Sequence, residues 1–118
     1  MVIETNLHLG VGIVQGNVFP LHRYITGMPS SITVSSAKLT LKNLPSDPDG
    51  SAIFQLTASI EDSGSSGTAT IRFDLSAANT NAMTANTQYY FDIQVTLSSG
   101  TILTIESGLT SAKASVTD

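Results

Sequence analysis

Hydrophobic and polar residues alternate with a period of two along much of this chain, the spacing of strands that bury one face and wet the other. The longest run is 88–97. Tyr89, Phe91, Ile93, Val95 and Leu97 fall on one face, and Tyr90, Asp92, Gln94 and Thr96 on the other. Ser98-Ser99-Gly100 predicts a hairpin turn, with a return strand over 101–105, a break at Ser107-Gly108 and a weak last strand over 109–116. Upstream, Ala37, Leu39 and Leu41 alternate with Lys38, Thr40 and Lys42. The turn residues Pro45, Asp47, Pro48, Asp49 and Gly50 make 43–50 a loop. Segments 52–60 (Phe54, Leu56, Ala58 and Ile60 inward) and 68–75 (Ala69, Ile71, Phe73 and Leu75 inward) predict a strand pair around a flexible tip at 61–67. Residues 76–87 read as a loop with one helical turn started by a Ser76 cap. In the N-terminal third, 2–9 and 11–19 read as strands interrupted at Gly10, Gly12, Gly16 and Pro20, as at edges or bulges. His22 and Arg23 fall in a loop on this reading, as does 27–30.

Seven or eight short strands separated by turn residues predict an all-β, two-sheet sandwich, with a closed barrel as the alternative. The 118 residues suit one domain spanning 1–118. The segments 1–12 and 110–118 pair poorly in this pattern and are expected to be extended docking arms.

Composition narrows the function classes. Hydrophobic residues make up 41% of the chain and charged residues 12%, about half the usual charged share, which argues against disorder. Nine acids stand against five bases, and Arg23, Lys38, Lys42, Arg72 and Lys113 do not cluster, so a nucleic-acid partner is not expected. No apolar run reaches the ~20 residues of a membrane-spanning helix, and residues 1–4 lack the basic start of a secretory signal. Synthesis in a cytoplasm and no membrane partner are the expectations. Without Cys, disulfides, thiolate catalysis and Cys-based zinc sites are all excluded.

Candidate chemistry is sparse. His8 and His22, the two histidines, have no spaced His or Cys partner for a metal or a catalytic pair. Asp47-Pro48-Asp49-Gly50, with help from Glu61-Asp62, could hold Ca²⁺, but a type I turn accounts for the same residues. No Gly-x-Ser-x-Gly elbow and no phosphate-cradling loop occurs. No catalytic residue, metal or cofactor is expected, and the chain is read as non-enzymatic. The outward face of 88–97 is the candidate interface: Tyr90, Asp92 and Gln94 share it, and an outward Tyr is enriched where proteins meet.

Two resemblances sharpen this reading. Met83-Thr84-Ala85-Asn86-Thr87-Gln88-Tyr89 resembles the fibronectin type III pattern of Leu, Pro-Gly/Asn-Thr and Tyr. It implies an immunoglobulin-like, fibronectin-III-like sandwich in which Tyr89 forms a tyrosine corner above Met83, its hydroxyl bonding upstream backbone. The second covers roughly 15–118. Gly27-Met28-Pro29, Ile32, Ala37-Lys38-Leu39-Thr40-Leu41-Lys42, Phe73-Asp74-Leu75, Asn79-Thr80, Tyr89-Tyr90-Phe91-Asp92-Ile93-Gln94-Val95, Ser99-Gly100, Gly108 and Val116-Thr117 carry it. Gln15-Gly16-Asn17 stands where the family has a Gly-Asp turn. This set is similar to the immunoglobulin-like module of tailed-bacteriophage structural proteins, including the N-terminal domain of baseplate upper proteins. The resemblance implies a virion protein without enzymatic activity that docks onto other virion proteins and onto copies of itself. With no fibre or receptor-binding region after Asp118, an adaptor of the tail, baseplate or neck is the first expectation. A capsid decoration protein is the second, and a carbohydrate-binding or adhesive sandwich the third.

Overall fold

The alternating residues of the strand that begins at Tyr89 are buried and half-buried in turn along its whole length, so one face of it is core and the other is surface. A computed structural model describes the backbone of residues 2–5 together with residues 13–29 and 31–114. Among these, eight strands occur: β1 (Val2–Thr5), β2 (Phe19–Thr26), β3 (Val34–Lys42), β4 (Phe54–Thr57), β5 (Ser59–Ser63), β6 (Ala69–Leu75), β7 (Tyr89–Leu97) and β8 (Ile102–Thr110). They form two antiparallel four-stranded sheets, ordered β1-β2-β6-β5 and β4-β3-β7-β8. The first order is the A-B-E-D sheet of an immunoglobulin constant-type domain, and the second is its C-F-G sheet extended by β4. The fold is therefore an immunoglobulin-like two-sheet sandwich, with the sheets separate and not closed into a barrel.

The core lies between the sheets. Leu21, Ile25, Ile71, Phe73 and Leu75 come from the first sheet, and Leu39, Leu41, Ile93 and Val95 from the second; all are at most 2% exposed. Each such side chain removed from water contributes about 1.5–3 kcal/mol, and with no disulfide this burial is the main support of the fold. Ile13 and Met83, equally buried, belong to the same core.

Several sequence expectations change. His22 and Arg23 lie in strand β2, not in a loop. The inward positions of β2 are Phe19, Leu21, Arg23 and Ile25, and the arginine breaks an otherwise apolar series. Residues 52–60 are not one strand. The chain leaves the second sheet after Thr57, turns at Ala58 (whose N–H donates to the Ala37 carbonyl, 2.9 Å) and enters the first sheet as β5. The tip expected at 61–67 is strand as far as Ser63. Ser107 and Gly108 do not end a strand, because β8 continues through them to Thr110.

The expected arms are partly built into the fold. Residues 2–5 pair with β2. Thr110 pairs with Tyr89, and Ala112 is 1% exposed. Beyond β8, Lys113 bridges in parallel to Val14 and Ala112 to Ala85. The Gln15 N–H donates to the Lys113 carbonyl (2.9 Å), and the Lys113 N–H donates to that of Ile13 (3.0 Å). So 13–15 meets the chain by a short parallel bridge and not by the strand expected over 11–19. The remainder of the two arms, residues 1, 6–12 and 115–118, lies outside the described residues.

Between β6 and β7 runs one short helix, α1 (Ala77–Asn81). Ser76 caps it: its hydroxyl accepts from the Asn79 N–H (3.2 Å), while the Asn79 side-chain oxygen accepts from the Ser76 N–H (2.9 Å). This reciprocal pair satisfies two of the donors that a helix start leaves orphaned.

Candidate functional site

The outward face of the second sheet is assembled from cross-strand rows. One row is Lys42 (β3), Tyr90 (β7) and Leu109 (β8); the next is Thr40, Asp92 and Ser107. With Phe91, Gly108 and Pro45 these residues line a depression of about 370 Å³. That is within the size of small-ligand pockets and large enough for one or two inserted side chains. Leu109 is 49% exposed beside Tyr90, an apolar pair left uncovered by the domain itself. Tyr90 and Asp92, expected at an interface, share this depression. Gln94 lines a second one of about 280 Å³ with Lys38, Thr57, Thr96 and Ile102.

Leu109 reaches this face because β8 carries one extra residue. Ile93 is paired with Glu106 but Gln94 with Thr104, which leaves Ile105 as a bulge. Before the bulge, Leu103 and Ile105 pack against the core; after it, Glu106, Gly108 and Thr110 oppose the buried Ile93, Phe91 and Tyr89. Sequence periodicity did not join Lys42, Ser107 and Leu109 to the site: alternation does not report cross-strand neighbours, and for Ser107 and Leu109 it also set a strand break at 107–108, just past this change of phase.

The same bulge turns Glu106 inward toward Arg23. Arg23 is 0% exposed, and its guanidinium forks onto the Glu106 carboxylate: Nε donates to Oε1 (2.6 Å) and Nη2 to Oε2 (2.8 Å). Nη1 donates to the His22 carbonyl (3.0 Å). Such a two-pronged pair combines charge with fixed geometry. It joins the two sheets.

The remaining candidates are engaged in structure. The Tyr89 hydroxyl accepts from the Thr84 N–H (2.6 Å), an upstream backbone bond in the connection between the sheets, and the neighbouring Met83 is fully buried in the core. His22 lies on the outward face of the first sheet, its Nε2 3.6 Å from Glu61 Oε1. Glu61 also accepts from Arg72 (3.0 Å), which pairs with Asp74 as well. In the 43–50 loop, Asp47 accepts from the Leu44 N–H (3.1 Å), and Asp49 lies 2.9 Å from Lys42 Nζ. The Lys42 ammonium, by hydrogen bond and by charge, holds the Asp49 carboxyl below its ordinary pKa. The Asp47 carboxylate is thus turned to backbone and that of Asp49 to lysine. Among the described residues no group of three His, Asp or Glu side chains could hold a metal. His8 lies outside them.

No protein-family model, curated protein or solved structure matches the chain.

Proposed function

We propose that this domain is a non-enzymatic assembly module of a tailed-phage particle, an adaptor in the tail, baseplate or neck. It docks onto neighbouring virion proteins through the outward face of β3, β7 and β8. The observation that carries the docking surface is the pairing of half-buried Tyr90 with exposed Leu109 at the edge of the 370 Å³ depression. Aromatic and aliphatic side chains flanked by polar neighbours are the composition of a protein-binding patch. The virion context rests on the sequence resemblance of 15–118 to phage immunoglobulin-like modules. A sandwich with two separate sheets agrees with that resemblance without depending on it.

The test is to purify particles of the phage that encodes the chain and locate the protein by mass spectrometry and cryo-electron microscopy. A tail or neck adaptor is expected in copies that are multiples of three or six, with the β7–β8 face against a neighbour. Absence from the particle overturns the reading. Hundreds of copies on the shell would reassign it to capsid decoration.

A further inference from the structure

Seven carboxylate side chains are described, and six of them have a partner within the domain. Asp47 takes the Leu44 N–H, Asp49 takes Lys42, Glu61 and Asp74 take Arg72, Asp62 takes the Gly64 N–H, and Glu106 takes Arg23. The seventh, Asp92, has no hydrogen bond or ion pair among the described residues. It is nevertheless half-buried, in the middle of a three-stranded row, with Thr40 on one side and Ser107 on the other. Tyr90, also without a hydrogen-bond partner for its hydroxyl, stands two residues away on the same face.

We propose that this depression receives a single arginine side chain of the docking partner, with Asp92 as its counter-charge and Tyr90 as its stacking surface. The proposal deepens the docking function above by naming the chemistry of the partner. A half-buried carboxylate has given up part of its hydration and gains most from a cation that restores it. The other charge lining the depression, the Lys42 ammonium, is held 2.9 Å from Asp49, which offsets its repulsion of a second cation. A guanidinium fits better than an ammonium: its plane lies on a tyrosine ring while its fork meets a carboxylate. Leu109 and Pro45 offer apolar surface to the three methylenes of the stem. The net charge of −4 favours approach by a basic segment.

The experiment is an NMR titration of the ¹⁵N-labelled protein with acetyl-Gly-Arg-Gly-amide. The same peptide carrying citrulline or glutamate in place of arginine serves as control, and a panel of mono- and disaccharides is titrated in parallel. The arginine peptide is expected to shift the amides of Lys42, Tyr90, Asp92, Ser107 and Leu109 and to bind more weakly as salt is raised. Asp92→Asn is expected to weaken it about tenfold, the scale of one charge-assisted hydrogen bond, and Asp92→Glu to retain binding. The citrulline peptide on the unaltered protein gives the same comparison without any substitution.

Equal binding of the citrulline or glutamate peptide, or an Asp92→Asn protein that binds normally, overturns the proposal. So does a sugar that saturates the same amides while the arginine peptide does not. The two readings fail separately. A protein absent from particles that still binds arginine through Asp92 removes only the virion function. A protein present in particles with no arginine binding removes only this site.

Discussion

Arg23 and Glu106 are 83 positions apart in sequence, yet their side chains meet through two bonds of 2.6 and 2.8 Å that cross from one sheet to the other. The guanidinium is wholly buried and the carboxylate side chain is 24% exposed.

Removing one member should cost more than the pair itself contributes, because a buried charge is left uncompensated. Glu106→Gln is expected to lower unfolding free energy by about 3 kcal/mol, the low end for a broken buried pair since Glu106 keeps some contact with water. Arg23→Met combined with Glu106→Leu should recover most of that loss. Urea denaturation of the single and double variants is the check, and a double variant as unstable as Glu106→Gln would refute the account.

Tyr89→Phe removes the acceptor for the Thr84 N–H and leaves the ring in place. Loss of one such bond predicts a destabilisation of about 1–2 kcal/mol. A change within about 0.3 kcal/mol, near the noise of such measurements, would mean that the hydroxyl does not hold the connection.

Gly64 and Gly67 frame the turn between β5 and β6, with φ of +97° and +102°. A Cβ on Gly64 would lie 2.5 Å from the Met28 sulfur, whereas one on Gly67 meets open space. Gly67→Ala should therefore carry the backbone cost alone, about 1 kcal/mol. Gly64→Ala should add a packing cost of about 1–3 kcal/mol. Equal melting temperatures for the two variants would exclude the Met28 contact as the cause.

Lys42 and Asp49 give a pH dependence with a defined sign. The carboxyl titrates below its ordinary value in the folded chain, so its favourable contact with Lys42 is complete above the unfolded-state value. That contact is lost as pH falls through the lowered folded value. An NMR titration should place Asp49 below an unperturbed Asp, and Lys42→Met should move it back up, since Lys42 is the larger cause of the shift. No upward move in Lys42→Met would exclude the pair.

The legible and illegible parts of the fold divide along physical lines. The alternation of 88–97 is a local property of one half-buried strand, and β7 follows it. The Ser76 cap and the turn residues of 43–50 are equally local. Alternation does not report which sheet a strand joins, so it passes through Ala58 unbroken although the chain changes sheets there. It fails at Arg23, because an inward arginine is acceptable only with a partner, and that partner lies at the far end of the chain. It fails again at Ile105, where one extra residue reverses the phase of β8. The candidate site shows the same division. Tyr90, Asp92 and Gln94 share a face by spacing alone, whereas Lys42, Ser107 and Leu109 join it through cross-strand register.

Straightening the bulge, so that Ile105 itself opposed Ile93, would act on β8 as a frameshift acts on a reading frame. Every residue downstream would exchange sides, with Glu106 and Thr110 sent to solvent and Ser107 and Leu109 sent inward. The cross-sheet clamp and the apolar rim beside Tyr90 would be lost together. Stability and recognition are thus both set by the phase that one bulge imposes on this strand.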